Sequence, residues 1–347
     1  MQSRMLFTLT TAFCGNNVNS PSSHPRGPLS RFAFVFPGQG SQAVGMGQAL
    51  ASASPAAAAV FDEADDALGQ SISQLAWEGP SEALDRTENA QPALLATSIA
   101  YLAALRERQQ EDGDPQPAFA AGHSMGQYSA LVAAGVVSLG DGIRLVRERG
   151  RLMQASGEGR DGAMAAIIGL DDARLPELVA EASANGVFGV ANRNAPGQVV
   201  VSGERRAVEA AAEIAKRLGA RKTIVLPVSV AAHSPLMAAA ADGMRKVLSE
   251  VRFRNPAMPL LANADARSLT TGDACRAELV EHLTTGVDWV RAVETMAAAG
   301  VTTFVEVGPG RILTGLIKRI LPDAEAVALD DPAAADRLAL PALPTPA

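Results

Sequence analysis

The residues best suited to chemistry in this chain surround Ser124, in the stretch Gly122-His123-Ser124-Met125-Gly126. This G-x-S-x-G pattern follows small apolar residues and precedes a helix-compatible run, which is typical of a nucleophile elbow with serine at the tip. Glycines fit there because the turn packs closely against its neighbours. At a helix N-terminus, free backbone N–H groups favour a developing negative charge. Three fixed positions also match by chance in a chain with 31 glycines, so the pattern alone leaves both interpretations open.

A serine nucleophile needs a base, and the chain has four histidines. His24 falls near the N-terminus, and His123 is inside the elbow, where neighbouring side chains point apart. His282 ends a predicted helix, where a contact with the C-terminal end of the helix dipole is the default explanation. His233 lies in a loop of small residues before Pro235, so by elimination it is the best candidate base.

Composition excludes several function classes. The chain has 347 residues, of which 48% are hydrophobic and 19% charged, as in an ordinary globular protein. Its net charge of −7 argues against a nucleic-acid binder, and no apolar run reaches the roughly 18 residues of a membrane span. Cys14 and Cys275 stand outside any C-x-x-C pattern, which predicts neither a disulfide framework nor a metal site and indicates a reducing compartment.

The two ends differ from the rest of the chain. Residues 1–30 contain arginine and several serines but no acidic residue, which predicts a disordered extension or a mis-assigned start, with an organelle transit peptide as the alternative. The location expected is therefore cytoplasmic, or an organelle matrix in the second case. Residues 326–347 are predicted to be a disordered tail, Ala- and Pro-rich from Asp331 onward.

Hydrophobic patterning positions the candidate residues. An apolar run over residues 31–36 predicts a buried strand leading into a Gly-rich loop at 37–42, which lacks the lysine and spacing of a phosphate-binding loop and better suits a backbone N–H facing an oxyanion. Helices are predicted at residues 55–68, 82–105 and 141–154. The basic residues of the last helix are of the kind that usually form a solvated face.

A second, smaller unit is predicted at residues 161–228. Strands are expected at residues 163–170, 187–191, 198–202 and 223–228, with helices at 172–184 and 206–218. This β-α-β-β-α-β order is the ferredoxin-like pattern. The larger unit then resumes, with later strands near residue 260 and at 303–307 and helices near 275–283 and 311–320.

Six ordered motifs carry a resemblance to a known family. They are Phe34-Val35-Phe36-Pro37-Gly38-Gln39-Gly40-Ser41-Gln42, the elbow, Arg149-Gly150-Arg151-Leu152-Met153-Gln154, Asn194-Ala195-Pro196-Gly197-Gln198-Val199-Val200, His233-Ser234-Pro235-Leu236-Met237 and Glu306-Val307-Gly308-Pro309-Gly310. Together, over residues 31–322, the chain resembles the malonyl-CoA:acyl carrier protein transacylases. The resemblance implies an α/β-hydrolase-like large domain with a parallel sheet, formed by residues 31–160 and 229–325, with the ferredoxin-like unit inserted.

The resemblance also implies roles for individual residues. Ser124 would be the nucleophile and His233 its base, in ping-pong acyl transfer through an acyl-serine. The backbone N–H groups of Gln39 and Met125 would form the oxyanion hole. Arg149 would bind the malonyl carboxylate, because its planar fork matches a carboxylate in two places.

Further positions follow from the same resemblance. Gln91 would line the pocket that holds the malonyl group, and the turn containing Asn192 and Asn194 would lie nearby. Asp288 takes a position that would orient the histidine, through its main-chain carbonyl or, in a Ser-His-Asp triad, through its side chain. Gln127 replaces the glutamate usual in the elbow, which is expected to alter local hydrogen bonding and not the reaction.

Function and partners follow as expectations. The protein would transfer malonyl from malonyl-CoA to the phosphopantetheine thiol of acyl carrier protein for fatty-acid synthesis, without a cofactor or metal. Alternatives are a trans-acting polyketide-synthase acyltransferase, a malonate-decarboxylase-type acyltransferase subunit and a hydrolase that removes acyl chains from acyl carrier protein. The protein is expected to be a monomer that contacts neither nucleic acid nor membrane. A basic rim that docks the acidic carrier would comprise Arg217, Arg221, Lys222, Lys318 and Arg319.

Overall fold

The computed structural model describes residues 31–109, 116–159, 161–226, 228 and 230–333. The strands are β1 (Arg31–Phe36), β2 (Phe119–Gly122), β3 (Gly162–Ile168), β4 (Phe188–Ala195), β5 (Gln198–Glu204), β6 (Lys222–Val225), β7 (Leu260–Leu261), β8 (Ser268–Leu269), β9 (Val287–Asp288), β10 (Val301–Val307) and β11 (Glu325–Leu329). They form two sheets, one of six strands and one of five.

Helices cover both sheets. The α-helices are α1 (Gln48–Ala53), α2 (Pro55–Leu68), α3 (Ile72–Glu78), α4 (Ser81–Leu84), α5 (Thr87–Arg108), α6 (Gly126–Ala133), α7 (Leu139–Gly157), α8 (Leu175–Ser183), α9 (Arg205–Arg217), α10 (Ala238–Ser249), α11 (Gly272–Thr285), α12 (Trp289–Ala298) and α13 (Ile312–Ile320). Among the described residues, no helix combines the length and apolar character needed to cross a bilayer.

The large sheet has the order β11-β10-β1-β2-β7-β8 and is parallel except for the β7–β8 pair. Side chains of β1 alternate between two separate cores, with Phe32, Phe34 and Phe36 in one and Ala33 and Val35 in the other. A parallel sheet covered on both faces requires such an apolar run. The carboxyl ends of β1, β2 and β10 therefore meet at one edge, where their loops approach each other.

The small sheet has the order β6-β3-β5-β4-β9. Its first four strands pair antiparallel, and β9, which comes from a later part of the chain, adds parallel to β4. The predicted turn at residues 192–197 is shorter in the structure, because β4 continues to Ala195 through two register shifts and only Pro196 and Gly197 connect it to β5. The β4–β9 pair joins the small sheet directly to the larger unit.

Two other predicted elements differ in the structure. The helix predicted at residues 82–105 is divided at Asp85 and Arg86 into α4 and α5, and α5 continues to Arg108 with Pro92 inside it. The predicted disordered tail at 326–347 is wrong at its start, because β11 pairs with β10 from Thr303↔Glu325 to Val307↔Leu329. The edge of the parallel sheet accepts this short apolar strand. Residues 1–30 and 334–347 lie outside the described part.

Candidate active site

The elbow forms because backbone is packed against backbone around Ser124. Ser124 has a φ of 54°, in the left-handed region that a serine adopts only when its surroundings impose it. A Cβ on Gly122 would lie 2.0 Å from the carbonyl carbon of Gly126, and a Cβ on Gly126 would lie 2.2 Å from the carbonyl oxygen of Phe36. Only glycine permits these approaches. The serine is thereby presented between the end of β2 and the start of α6.

His233 reaches the serine from a loop on the opposite side. Its Nε2 lies 2.8 Å from Ser124 Oγ, and its backbone φ is 59°, also left-handed. The next residue, Ser234, caps a short 3₁₀ helix at Pro235–Met237 by accepting a hydrogen bond from the Leu236 N–H. The backbone is therefore fixed at His233 and at the residue that follows it. This brings the serine and the histidine selected from the sequence into contact.

The tautomer of His233 follows from its other nitrogen. Nδ1 lies 2.7 Å from the main-chain carbonyl oxygen of His282, which can only accept, so Nδ1 carries the hydrogen and Nε2 directs a lone pair at Ser124. Burial, with lesser contributions from His282 and Arg149, lowers the pKa of His233 well below 6.5. The ring is therefore neutral near pH 7 and able to accept the serine proton.

The orienting role predicted for Asp288 is wrong. The carbonyl that holds His233 belongs to His282, at the end of α11. The Asp288 carboxylate instead caps α12 by accepting from the Arg291 N–H at 3.1 Å and pairs with Arg193 at 2.9 Å. Since His233 Nδ1 already donates to a carbonyl oxygen, a triad with Asp288 has no place.

Arg149 lies on the buried face of α7 and points at the serine. The residue is 1% exposed, whereas Arg144 and Arg151 of the same helix are exposed. A Cβ on Gly150 would lie 2.6 Å from Glu88 Cα, so α7 approaches α5 closely at this point. The expectation that the basic residues of this helix form a solvated face therefore fails for Arg149.

The guanidinium of Arg149 has only neutral hydrogen-bond partners. Nη1 donates to Gln91 Oε1 at 3.0 Å, Nη2 donates to Ser124 Oγ at 3.2 Å, and Nη2 lies 3.3 Å from His282 Nε2. No carboxylate of the described residues is within ion-pair distance. Burial lowers the pKa of Arg149, while Tyr128 and Glu278 act against this shift. A buried cation without a contacting anion is costly, so the site favours an anionic ligand.

The two predicted oxyanion donors lie on adjoining loops. Met125 is fully buried immediately before α6, and Gln39 follows β1. A Cβ on Gly38 would lie 2.6 Å from the His123 carbonyl oxygen, which shows that the loops are in contact. Within the described residues, neither the Met125 N–H nor the Gln39 N–H has a protein acceptor. Both are available to a ligand, and their role stays a prediction.

Asn194 and Asn192 contribute differently. Asn194 Oδ1 lies 2.9 Å from His123 Nε2, so it fixes the ring inside the elbow. The hydrogen-bond partners of Arg149 are Gln91, Ser124 and His282 and do not include Asn194. Burial lowers the pKa of His123. Asn192 is half-buried, and its Oδ1 has no hydrogen-bond partner in the part of the chain described here. Substrate binding by either asparagine stays a prediction.

Gln127 of the elbow uses both ends of its amide. Its Oε1 accepts from the Gly122 N–H at 3.2 Å, and its Nε2 donates to the Leu261 carbonyl at 3.0 Å. A glutamate would need a proton to make the second bond. The expectation that this residue acts on local hydrogen bonding agrees with these contacts. In the described segments, no group of three or more His, Cys, Asp or Glu side chains is arranged to hold a metal ion.

A protein family, individual relatives and solved structures each match this chain over most of its length. Residues 33–331 match the family described as Acyl transferase domain. The malonyl CoA-acyl carrier protein transacylase of Escherichia coli (strain K12) is 46% identical over 306 residues, covering 88% of this chain and 98% of the relative. The corresponding protein of Bacillus subtilis (strain 168) is 43% identical, covering 88% and 95%. An acyl carrier protein S-malonyltransferase from Vibrio cholerae is similar in structure, with a TM-score of 0.85 and 44% identity over 89% of this chain and 99% of that one.

The chain belongs to the malonyl CoA-acyl carrier protein transacylase family. Its mixed α/β architecture with a parallel sheet also matches the solved structure of a malonyl-transacylase in complex with a type II polyketide-synthase acyl carrier protein, with a TM-score of 0.85 and 43% identity. This match covers 90% of this chain and 99% of that one. The chain is therefore an acyltransferase.

In this transacylase, three buried polar residues belong to the site although the sequence analysis gave none of them a role there. Asn263 accepts from the Ser124 N–H at 2.8 Å and donates to the Gly122 carbonyl at 3.0 Å. Glu278 accepts from the Asn263 N–H at 2.9 Å, and His282 supplies the carbonyl that holds His233. A signal was present, since Asn263 ends the apolar run that begins with β7, with one residue between it and that strand, and Glu278 and His282 are four residues apart on a helix face shared with apolar residues.

Proposed function

We propose that the protein transfers a malonyl group from malonyl-CoA to the phosphopantetheine thiol of an acyl carrier protein through an ester on Ser124. One observation carries this proposal. Ser124 Oγ lies 2.8 Å from His233 Nε2 and 3.2 Å from Arg149 Nη2. The nucleophile Ser124, its base His233 and the buried cation Arg149 therefore lie close enough together for one malonyl group to contact all three. The relatives' names support malonyl as the acyl group and acyl carrier protein as the acceptor.

The first half-reaction loads the enzyme. His233 Nε2 takes the Ser124 proton as Oγ attacks the thioester carbonyl of malonyl-CoA. The N–H groups of Met125 and Gln39 stabilise the oxyanion, each worth about a hundred- to a thousandfold in rate. As the tetrahedral intermediate collapses, the C–S bond breaks and the His233 imidazolium protonates the departing thiolate. Malonyl-Ser124 and free CoA are the products.

The second half-reaction reverses these roles. His233 takes the proton of the carrier's phosphopantetheine thiol, and the thiolate attacks the Ser124 ester. The C–O bond breaks, and the imidazolium returns its proton to Oγ. Throughout, Arg149 holds the free carboxylate of the malonyl group, and its Nη1 contact with Gln91 fixes the orientation of the guanidinium.

The finer fold description belongs to the same proposal. Numbered within residues 161–228, the small sheet has the strand order 4-1-3-2, which supports a ferredoxin-like unit inserted in an α/β-hydrolase-like domain of residues 31–160 and 229–325. The elbow between β2 and α6 supports the hydrolase-like part. The bacterial relatives support a cytoplasmic location.

A basic rim would receive the acidic carrier. Arg221 and Lys222 are exposed at the start of β6. Arg319 donates to Gln198 Oε1, and Lys318 donates to the Ala324 carbonyl at 2.7 Å. Because both acceptors are neutral, these contacts do not offset the positive charge of either side chain. Arg217 is paired with Glu181, which reduces its share.

A second acceptor is favoured by a specific observation. One similar structure is a complex with a type II polyketide-synthase acyl carrier protein, so a polyketide carrier is the alternative to the fatty-acid carrier. The malonate-decarboxylase role stays an untested alternative. Hydrolysis of neutral acyl chains is disfavoured, because Arg149 would be buried against an uncharged group.

Intact-protein mass spectrometry tests the proposal. Incubation with malonyl-CoA should add one malonyl group to the wild-type protein and none to Ser124→Ala. Addition of a holo acyl carrier protein should then remove the group from the enzyme and add it to the carrier. An adduct of unchanged yield in Ser124→Ala would refute the role of Ser124.

A further inference from the structure

Glu278 and His282 are buried one turn apart on α11, behind the guanidinium of Arg149. Glu278 is 1% exposed and His282 0%. His282 Nδ1 lies 3.5 Å from Glu278 Oε1, and His282 Nε2 lies 3.3 Å from Arg149 Nη2. A single imidazole ring therefore separates a buried carboxylate from the buried cation that points at Ser124.

The contacts fix the state of the histidine. Arginine can only donate, so His282 Nε2 accepts from Arg149, and Nδ1 carries the hydrogen. That hydrogen is directed toward the Glu278 main-chain carbonyl at 3.1 Å and lies close to the Glu278 carboxylate. From the other elements packed around it, His282 faces the rings of Tyr128 at 6.4 Å and His233 at 5.9 Å. Neutral His282 thus joins Glu278 to Arg149 in one polarised row.

Glu278 has few partners of its own. Oε1 accepts from the Asn263 N–H at 2.9 Å, while the buried Oε2 has no hydrogen-bond partner among the described residues. A carboxylate held this way is costly unless a nearby cation compensates it. Arg149 supplies that charge, and Glu278 in turn raises the pKa of Arg149 against the effect of burial.

We propose that Glu278, acting through His282, is the resident counter-ion of Arg149 and a positioning residue that limits how tightly the site holds a carboxylated acyl group. This inference rests on the proposed malonyl transfer. With the site empty, Glu278 and Arg149 balance each other. When the malonyl carboxylate arrives, it must share Arg149 with Glu278, which weakens its hold.

A limited hold serves a two-step transfer. Arg149 holds the carboxylate from malonyl-Ser124 through the transition state to the malonylated carrier, so a tighter hold slows the step in which that product leaves the enzyme. Removing the Glu278 charge should therefore shift loading and unloading in opposite directions. Loss of a merely structural residue would instead reduce both.

The test is Glu278→Gln, which keeps the shape and an oxygen for the Asn263 N–H. The fraction of malonyl-Ser124 at equilibrium is measured by intact-protein mass spectrometry at fixed concentrations of malonyl-CoA and CoA. The same measurement with acetyl-CoA and CoA serves as the comparison with an uncharged acyl group. The equilibrium constant for malonyl loading should rise roughly 3- to 30-fold, the range expected for one charge acting across a ring at an effective dielectric constant of about 20. Acetyl loading should change less than about twofold, because an uncharged group feels little of the field.

Rates give a second readout on the same variant. Release of the malonylated carrier, measured as steady-state kcat with a holo acyl carrier protein, should slow by a similar factor, whereas the KM for malonyl-CoA should fall. In an Arg149→Ala background, Glu278→Gln should raise malonyl loading by a smaller factor than with Arg149 present, because only the direct repulsion between the two carboxylates remains. Equal changes for malonyl and acetyl, or the same change without Arg149, would overturn the inference.

Glu306→Gln is the matched control. Glu306 is also a fully buried carboxylate, but it binds the Leu313 and Thr314 N–H groups of α13. Its variant should lower the melting temperature and leave the malonyl-to-acetyl ratio as in wild type. Circular dichroism checks that each variant folds. If Glu278→Gln does not fold, Glu278→Asp is the substitute, because it moves the carboxylate away by one methylene. It should raise malonyl loading by a smaller factor than Glu278→Gln would. An unchanged malonyl-to-acetyl ratio in Glu278→Asp would overturn the inference.

The two proposals fail separately. Absence of a malonyl adduct on the wild-type protein would remove the proposed function itself. A wild-type adduct with an unaltered ratio in Glu278→Gln would remove the role of Glu278 alone.

Discussion

His233 Nδ1 donates to the main-chain carbonyl oxygen of His282 at 2.7 Å, so one histidine orients the other through its backbone. A carbonyl fixes the tautomer as a carboxylate would, but it brings no negative charge to stabilise the imidazolium. The ring is also buried beside the Arg149 cation. Burial and the neighbouring charges lower the pKa of His233 and keep it neutral, although the hydrogen bond to the carbonyl acts in the opposite direction.

Activity should persist into mildly acidic solution. The base must be neutral, and burial lowers the pKa of His233 well below 6.5, so protonation removes the base only below that value. We expect kcat/KM for malonyl-CoA to stay level as pH falls from 8 through about 6.5 and to decline only at lower pH. A stopped-assay pH profile measures it. An acid limb centred at or above pH 6.5 would contradict the assignment.

Arg149→Ala should change which acyl group is transferred. Malonyl transfer should fall about 100-fold or more, since truncating one partner of a buried charge pair typically costs about 2–5 kcal/mol or more. Acetyl transfer should persist or rise, because an uncharged pocket no longer disfavours an uncharged group. Transfer rates with malonyl-CoA and acetyl-CoA measure the ratio. Equal loss for both substrates would indicate a structural role.

Much of this site follows from residue type and spacing, and the rest does not for physical reasons. Ser124 carries a signature because its turn demands glycine on both sides, and His233 stands out as a loop histidine before proline. The role given to Asp288 failed because a main-chain carbonyl has no side-chain signature, so any residue, here His282, can supply it. A burial pattern along α7 could separate Arg149 from its solvated neighbours only once the helix was packed against α5.

The strand near the C-terminus also could not be predicted from the local sequence. Residues 325–329 are one glutamate followed by four apolar residues, with no alternation of apolar and polar side chains, and their strand depends on the free edge of β10. A neighbour in space, absent from the local sequence, decides the structure there.

Asn263 should prove necessary for the elbow. Asn263→Ala leaves the Ser124 N–H and the Gly122 carbonyl without their partner, and each unsatisfied buried group costs about 1–3 kcal/mol. We expect a lower free energy of unfolding in urea and a lower kcat with KM little changed. The control is Asn255→Ala, which loses a bond to the Gly272 N–H away from the elbow and should affect stability alone. Wild-type kcat in Asn263→Ala would contradict this.

Docking of the carrier should depend on charge at the rim. Lys222→Glu should lower kcat/KM for the holo carrier at low salt, and the difference from wild type should narrow as salt rises, since surface charges are screened. Lys246→Glu makes the same charge change on α10, outside the rim, and should have little effect. Transfer to free pantetheine supplies the baseline. Equal salt sensitivity for the carrier and free pantetheine would exclude this docking surface.

Asp288 should matter to stability and not to chemistry. Its carboxylate caps α12 and pairs with Arg193, while His233 is held by His282. Asp288→Asn keeps a capping oxygen and removes the charge, so kcat should stay within about twofold of wild type, in contrast to the roughly ten-thousandfold loss when a triad aspartate becomes asparagine. Asp288→Ala should also lose the cap, lowering the free energy of unfolding by about 1 kcal/mol. Steady-state kinetics and urea unfolding of both variants test this, and a large loss of kcat in Asp288→Asn with normal stability would restore the triad.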